Sequence, residues 1–313
     1  MRILIACGCA LACMAAIAAD DTVPGNGSRF EMVEIAEGNF VHFGVHDERA
    51  PANLGDNANI GFIVGERCVL VVDTGGSRPV GEALADAVRA VTDLPVCHVV
   101  ITHVHPDHFF GAAAFTDAQP TFIGHGNLPR QLAARARTYV NALERDLGDR
   151  ADGSEIVQPT LTVNSGETLE LDLGGRVVSV RAWRPAHTDN DLTVYDRKTA
   201  TLWLGDLLFV EHTPVLDSNI TGFLSVMDEL RGLQVDTFVP GHGRTDAPWP
   251  AALDPQRRYF ETILHETRNA IRERVSLMDA VHQVGYSEEG NWLHFETYHR
   301  RNVTTAYTEL EWE

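Results

Sequence analysis

Short apolar runs alternate with turn residues over the first part of the chain, and the same pattern returns after a helical middle. Residues 40–44 (Phe-Val-His-Phe-Gly) predict a short strand. Two apolar runs at 60–64 and 68–72, split by Gly65-Glu66-Arg67, predict a hairpin. Asp73-Thr74-Gly75-Gly76 ends the second run. Between 81 and 91 the positions Leu84, Ala87, Val88 and Val91 recur at helical spacing. Strands are predicted at 97–101 and 121–123, then a long helix at 128–147 whose Arg130, Arg135 and Arg137 read as a solvated face. Further strands are predicted at 161–163 and 177–183. A hairpin pairs 192–195 with 201–204, a short helix at 225–230 stops at Gly232, and a last strand covers 237–240. From 255 to 284 the pattern is helical. Strands in two groups, each ending in helix, predict an α+β fold with two sheets face to face and helices outside.

One turn changes the reading from architecture to chemistry. The strand at 97–101 runs into Thr102-His103-Val104-His105-Pro106-Asp107-His108 and then into Phe109, Gly111 and Ala112. Four side chains able to bind a metal fall within six positions. Imidazole and carboxylate suit zinc, with iron or manganese as alternatives. Three more candidates sit at strand ends beside Gly or another small residue. They are His187, after the strand ending at Trp183; Asp206, after the run 201–204; and His242, after 237–239. Small residues there let the backbone bend closely around a ligand. Taken alone, Asp206 has a helix cap as its lesser alternative, and His187 and His242 equally suit structural positions. Among the remaining histidines, His212 is best placed to line a cleft.

A pair of cations a few Å apart would share a water and bring its pKa toward neutrality, so that it attacks a carbonyl or phosphoryl centre. No side-chain nucleophile with a partner is visible. Asp107, starting protonated, or the water itself would pass a proton to the leaving group.

Composition sets limits on partners. The chain has 313 residues, with 44% hydrophobic and 22% charged, which places it among ordinary globular proteins. A formal net charge of −19 argues against nucleic acid or an anionic membrane surface as partner. No later run approaches about 18 uninterrupted apolar residues, so no membrane span is predicted. Residues 1–18 read as a signal peptide: Arg2, an apolar stretch over 3–16, and Ala16-Ile17-Ala18 as a small-x-small cleavage site. This predicts a periplasmic or secreted protein, cleaved near Ala18. Cys7, Cys9 and Cys13 lie in that segment, leaving Cys68 and Cys97, each opening a β-like run. Neighbouring strands would allow a disulfide in an oxidising compartment; two buried free thiols fit equally.

The order His103-x-His105-x-Asp107-His108, then His187, Asp206 and His242, resembles the metallo-β-lactamase superfamily over about residues 27–250. The resemblance implies an αββα sandwich with a dinuclear site at the sheet edge, and a C-terminal helical extension, 251–313, packed on it. It implies that His103, His105 and His187 hold one metal, that Asp107, His108 and His242 hold a second, and that Asp206 bridges them. Asp73 would be a supporting residue near the site. An aspartate at 206 is similar to the ligand set of glyoxalase II-like hydrolases. The segment Ala186-His187-Thr188-Asp189-Asn190-Asp191 departs from the Gly-His-Thr-x-Gly form of the thioesterases and argues against a glutathione thioester.

Residues 57–64 leading to Asp73-Thr-Gly-Gly-Ser77, and the C-terminal 298–303 and 309–313, resemble the quinoprotein relay system zinc metallohydrolases. That implies an exported enzyme with two zinc ions, acting on a small-molecule ester, thioester, lactone or amide and associated with periplasmic quinoprotein dehydrogenases. The alternatives are a mononuclear iron dioxygenase of persulfide type, which shares the run 103–108, a metallo-β-lactamase, and a non-catalytic accessory that binds a quinone cofactor.

Overall fold

The computed structural model describes residues 30–313, together with the backbone of a two-residue strand at Ala16–Ile17. The signal-peptide reading of 1–18, with its cleavage near Ala18 and its three cysteines, otherwise lies outside the described residues.

Two sheets stack face to face. The first has eight strands in chain order: β1 (Ala16–Ile17), β2 (Met32–Ala36), β3 (Asn39–His42), β4 (Ile60–Val64), β5 (Val69–Val72), β6 (Val96–Val100), β7 (Thr121–His125) and β8 (Leu161–Val163). Strands β1 to β5 pair antiparallel, and β5 to β8 pair parallel. The second sheet runs in the order β13 (Thr237–His242), β12 (Thr201–Phe209), β11 (Leu192–Asp196), β10 (Val177–Ala182), β9 (Thr168–Asp172). Only β12 and β13 are parallel in it.

Alternation along each strand builds three apolar layers. In β5, Val69 and Val71 point toward helices α1 (Arg78–Val91) and α3 (Leu128–Leu147), while Leu70 and Val72 point between the sheets. In β12, Trp203 faces the inter-sheet layer, and Leu202 and Leu204 face helices α4 (Ile220–Arg231), α5 (Asp254–Arg272) and α7 (Phe295–Leu310). A strand covered on both faces reads as a continuous apolar run, and every residue of β12 is buried. This is the predicted two-sheet sandwich with helices outside. No helix among the described residues is long and apolar enough to cross a membrane.

Four local departures have physical causes. Strand β9 was not expected, because it is an edge strand with mostly exposed side chains and lacks an apolar signal. Helix α4 begins at Ile220 rather than 225: Asn219 caps it, and the Glu309 carboxylate, from α7, accepts from the backbone N–H of Ile220 and Thr221. The expected helix over 255–284 breaks after Arg272, with Arg274 at φ 61° and a new short helix α6 (Leu277–Ala280) capped by Ser276. Asp206 lies inside β12 rather than after it, so it caps no helix.

One covalent tie fastens neighbouring strands of the first sheet, and one ionic cluster joins the two sheets. Cys68, just before β5, is bonded to Cys97 of β6, with Cα atoms 5.9 Å apart. Arg176, before β10, pairs with the fully buried Asp196 and also donates to the carbonyls of Val64 and Glu37 on the other sheet.

Candidate metal centre

The seven expected ligands converge at one edge of the sandwich, though they come from four separate parts of the chain. His103 and His105 lie on the loop after β6. Asp107 and His108 sit in the single turn α2 (Pro106–Phe109), whose first residue is proline, with φ already set for a helix start. His187 lies on the loop after β10, Asp206 within β12 and His242 at the end of β13.

The ligand atoms form two adjoining groups, His103, His105, His187 and Asp206, and then Asp107, His108 and His242, each with ligand atoms within 4.8 Å of one another. In the first, His105 Nδ1 is 3.1 Å from His103 Nε2 and 2.9 Å from His187 Nε2. In the second, His242 Nε2 is 3.3 Å and His108 Nε2 3.8 Å from Asp107 Oδ2. The Asp206 carboxylate spans the two. Its Oδ2 is 3.4 Å from His103 Nε2 and 3.3 Å from His187 Nε2; its Oδ1 is 3.2 Å from His108 Nε2 and 3.4 Å from His242 Nε2.

The other nitrogen of every one of these histidines is held. His103 Nδ1 donates to Thr102 Oγ1, which donates in turn to Asp73 Oδ2 (2.8 Å). His108 Nδ1 donates to the same Asp73 oxygen at 2.8 Å. His187 Nδ1 donates to Val215 O and His242 Nδ1 to Asn57 O, both at 2.7 Å, and His105 Nε2 donates to Asp217 Oδ2 at 3.3 Å. Each ring is thereby held with its second nitrogen turned inward. Asp73 also accepts from Thr102 N at 2.8 Å, and its φ of 55° is one that aspartate tolerates better than most residues. It therefore lies where the supporting role was expected.

These groups fit a cation. In the first group, three imidazole lone pairs face one another at hydrogen-bond distance with their protons committed elsewhere. In the second, His108 Nε2 and Asp206 Oδ1 are buried with no hydrogen-bond partner among the described residues. A buried polar group without a partner is costly, and a cation between these atoms removes that cost.

Charge follows the same logic. Burial presses His242 down, but Asp206 and Asp107 carry it up to about 10. Burial likewise opposes the charge on His108, and Asp206, Asp73 and Asp107 lift it well above the ordinary histidine value. Burial and the neighbouring His108 keep His103 well below it. Burial raises Asp107, yet His108 and His242 hold it far into the ionised range. The ionised carboxylate at Asp107, rather than the protonated form considered from the sequence, is the state its histidine neighbours favour.

A cleft of about 500 Å³ opens over the site, lined by Glu48, Arg49, Asp107, His212, Tyr298 and Arg301 among others. His212 lies in its wall, as its position after Asp206 had indicated. Its ring stacks on His242, with centroids 5.2 Å apart, and burial and the charge of His242 hold it neutral, down to about 3. Tyr298 packs against it at 4.9 Å and donates to Glu48 Oε1 at 3.0 Å. Reading the chain did not point to Asp217, His294 or the Val215 carbonyl, and it placed Asn57, Tyr298 and Arg301 only inside segments singled out by resemblance, without a role for any of them. A carbonyl oxygen carries no residue signature, and Asp217, His294, Tyr298 and Arg301 lie away from any strand end. Residues 57–64, singled out by resemblance, prove to hold His242: Asn57 O accepts from its ring, and Asn59 Nδ2 donates to Pro240 O and Gly243 O.

The fold and the site have known counterparts. A family profile described as the metallo-beta-lactamase superfamily matches residues 54–242. A "Beta-lactamase-like protein 2 homolog" of Caenorhabditis elegans is 22% identical over 221 residues, covering 69% of this chain and 66% of that protein. The structure of an inverting sec-alkylsulfatase of Pseudomonas sp. superposes with a TM-score of 0.69 at 14% identity, over 89% of this chain and 50% of that one. A metallo-beta-lactamase of Pontibacter korlensis superposes with a TM-score of 0.59 at 17% identity, over 74% of this chain and 98% of that one. The chain thus spans half of the alkylsulfatase and just under two thirds of the nematode protein. With the profile covering more than half of its length, the chain belongs to the metallo-beta-lactamase superfamily.

Proposed function

We propose that the chain is an exported dinuclear zinc hydrolase that cleaves an ester-, thioester-, lactone- or amide-type bond of a small molecule, working alongside periplasmic quinoprotein dehydrogenases. The observation that carries this reading is the Asp206 carboxylate, which turns one oxygen toward each ligand group. His103, His105 and His187 would hold one ion, Asp107, His108 and His242 the other, with Asp206 shared. Two zinc ions held there would lower the pKa of a water and polarise the scissile bond. Asp107, ionised and partly open to the cleft, accepts the proton released by the attacking water and returns it to the leaving group. His212 and Tyr298 bound the space for the substrate.

The test is metal analysis of the purified protein, with turnover measured on a panel of esters, thioesters, lactones, amides and sulfate esters. Two zinc ions per chain are expected, together with turnover that a chelator abolishes and zinc restores. One iron ion with oxygen uptake would overturn the reading in favour of the dioxygenase. Retained quinone-cofactor binding with no turnover on any substrate would favour the accessory. Export is tested by N-terminal sequencing of secreted protein, expected to begin just after Ala18.

Sulfate-ester hydrolysis is the second reading. The likeness to the sec-alkylsulfatase covers 89% of this chain, a share that cannot be reached without the C-terminal helices. The β-lactamase likeness covers 74%. β-Lactams are accordingly expected to be poor substrates, and rapid nitrocefin turnover would refute that expectation.

A further inference from the structure

The loop over residues 214–217 makes contacts on both its sides. Toward the site, Val215 O accepts from His187 Nδ1 at 2.7 Å, and Asp217 Oδ2 accepts from His105 Nε2 at 3.3 Å. Asp217 N also donates to His187 O at 2.9 Å. Away from the site, the loop is gripped by α7. Asn302 Oδ1 accepts from Leu216 N at 2.9 Å, and its Nδ2 donates to Pro214 O at 2.6 Å and to Tyr259 Oη at 2.8 Å. Asn302 is fully buried. The neighbouring Arg301 pairs with Asp217 Oδ1, and Arg135 of α3 pairs with Asp217 Oδ2 at 2.7 Å. Two guanidiniums thus hold the carboxylate that orients His105.

We propose that α7 is a positioning element of the metal centre: Arg301 and Asn302 hold the 214–217 loop, and the loop aims His105 and His187, two of the three histidines of one ligand group. The other group is oriented from elsewhere, by Asp73 for His108 and by Asn57 O for His242. Asp73 also reaches His103 of the first group through Thr102, but the 214–217 loop touches histidines of the first group alone, so a fault in the loop reaches only that group directly. The family profile ends at residue 242, so both α7 residues lie outside the matched part of the chain. The inference rests on the dinuclear reading above.

The experiment is Zn²⁺ binding in competition with a chromophoric chelator, on the full chain and on Asp217→Asn, Arg301→Gln and Asn302→Ala. Loss of a partner that orients a ligand weakens metal binding by about 10- to 100-fold. Asp217→Asn is expected to weaken one Zn²⁺ by that factor and to leave the other within about twofold. Arg301→Gln, at a half-exposed position that tolerates change, is expected to weaken the same ion by a smaller factor. Asp217→Glu, which keeps the carboxylate, is expected to recover part of the loss.

A merely structural role would lower both affinities together with the melting temperature, and that result overturns the proposal. So does an unchanged isotherm for both Asp217→Asn and Arg301→Gln. If Asn302→Ala fails to fold, the other two variants decide. Failure of the unaltered chain to bind two Zn²⁺ would instead sink the dinuclear reading itself, so the two failures are distinguishable.

Discussion

Asp206 occupies the space that a side chain at Gly241 would take: a Cβ built on Gly241 lies 2.0 Å from Asp206 Oδ1 and 2.8 Å from Asp206 N. The two residues sit on paired parallel strands, with Gly205 of β12 opposite Pro240 of β13. The shared carboxylate reaches both ligand groups because its neighbour on β13 has no side chain.

Gly241→Ala is therefore expected to push Asp206 out of its bridging position. The clash is with a carboxylate and with backbone, neither of which can swing away cheaply. Zinc content is expected to fall below two per chain and turnover to drop by about 100-fold, the scale of a misplacement near 1 Å at a reacting centre. Metal analysis and steady-state kinetics check this. Two tightly held ions with unchanged turnover would refute it.

The two ligand groups are expected to separate on mutation. His242→Ala removes one of three ligands from the second group and leaves the first intact, so one zinc is expected to be lost and one retained. Asp107→Ala is expected to abolish turnover, because it removes a ligand and the proton acceptor together. Full activity in either variant would contradict the assignment.

Arg176 and Asp196 form a buried ion pair between the sheets, with side chains only 4% and 0% exposed. Asn39 and Thr199 also donate to the Asp196 carboxylate. Arg176→Met leaves that carboxylate buried without its cation, which costs about 3–5 kcal/mol. It also strands the carbonyls of Val64 and Glu37. Urea unfolding of the variant is expected to show a loss of that size with the metal content unchanged. A loss below about 1 kcal/mol would show that water or relaxation satisfies the site.

His42 gives a pH signature away from the metal ligands. Burial disfavours its charge, but Asp56 outweighs it, and the net effect is a raised pKa. Its Nε2 is 2.9 Å from both Asp56 oxygens, and its Nδ1 is 3.0 Å from Glu31 O. Both partners are acceptors, so the imidazolium satisfies both. A group whose folded-state pKa is raised contributes stability that is complete below the unfolded value, about 6.5. That stability is lost as the pH climbs through the folded value. The unaltered protein is expected to lose stability as pH rises from neutrality, and His42→Gln to show a flatter profile over that window. Equal slopes in denaturant titrations would rule the residue out as the source.

Much of the sandwich was legible because strands covered on both faces carry unbroken apolar runs. Strands β4 and β5, and the hairpin of β11 and β12, begin close to where the pattern placed them. Strand β9 was not legible, since an exposed edge strand has no apolar pattern to read. The start of α4 was missed because part of its cap, Glu309, comes from 89 residues further along the chain.

The sequence by itself determined the chemistry of the site. Metal ligation needs particular side chains, and four of them crowd into one turn at 103–108, with the other three beside small residues where strands come to an end or bend. What the tertiary structure decided is how those ligands are aimed. Val215 and Asn57 act through backbone carbonyls, which any residue could supply, and the Arg301–Asp217 pair spans 84 residues. Asp206 shows the same division: its carboxylate was evident from the chain, but the room for it between the ligand groups exists only where β12 and β13 run side by side.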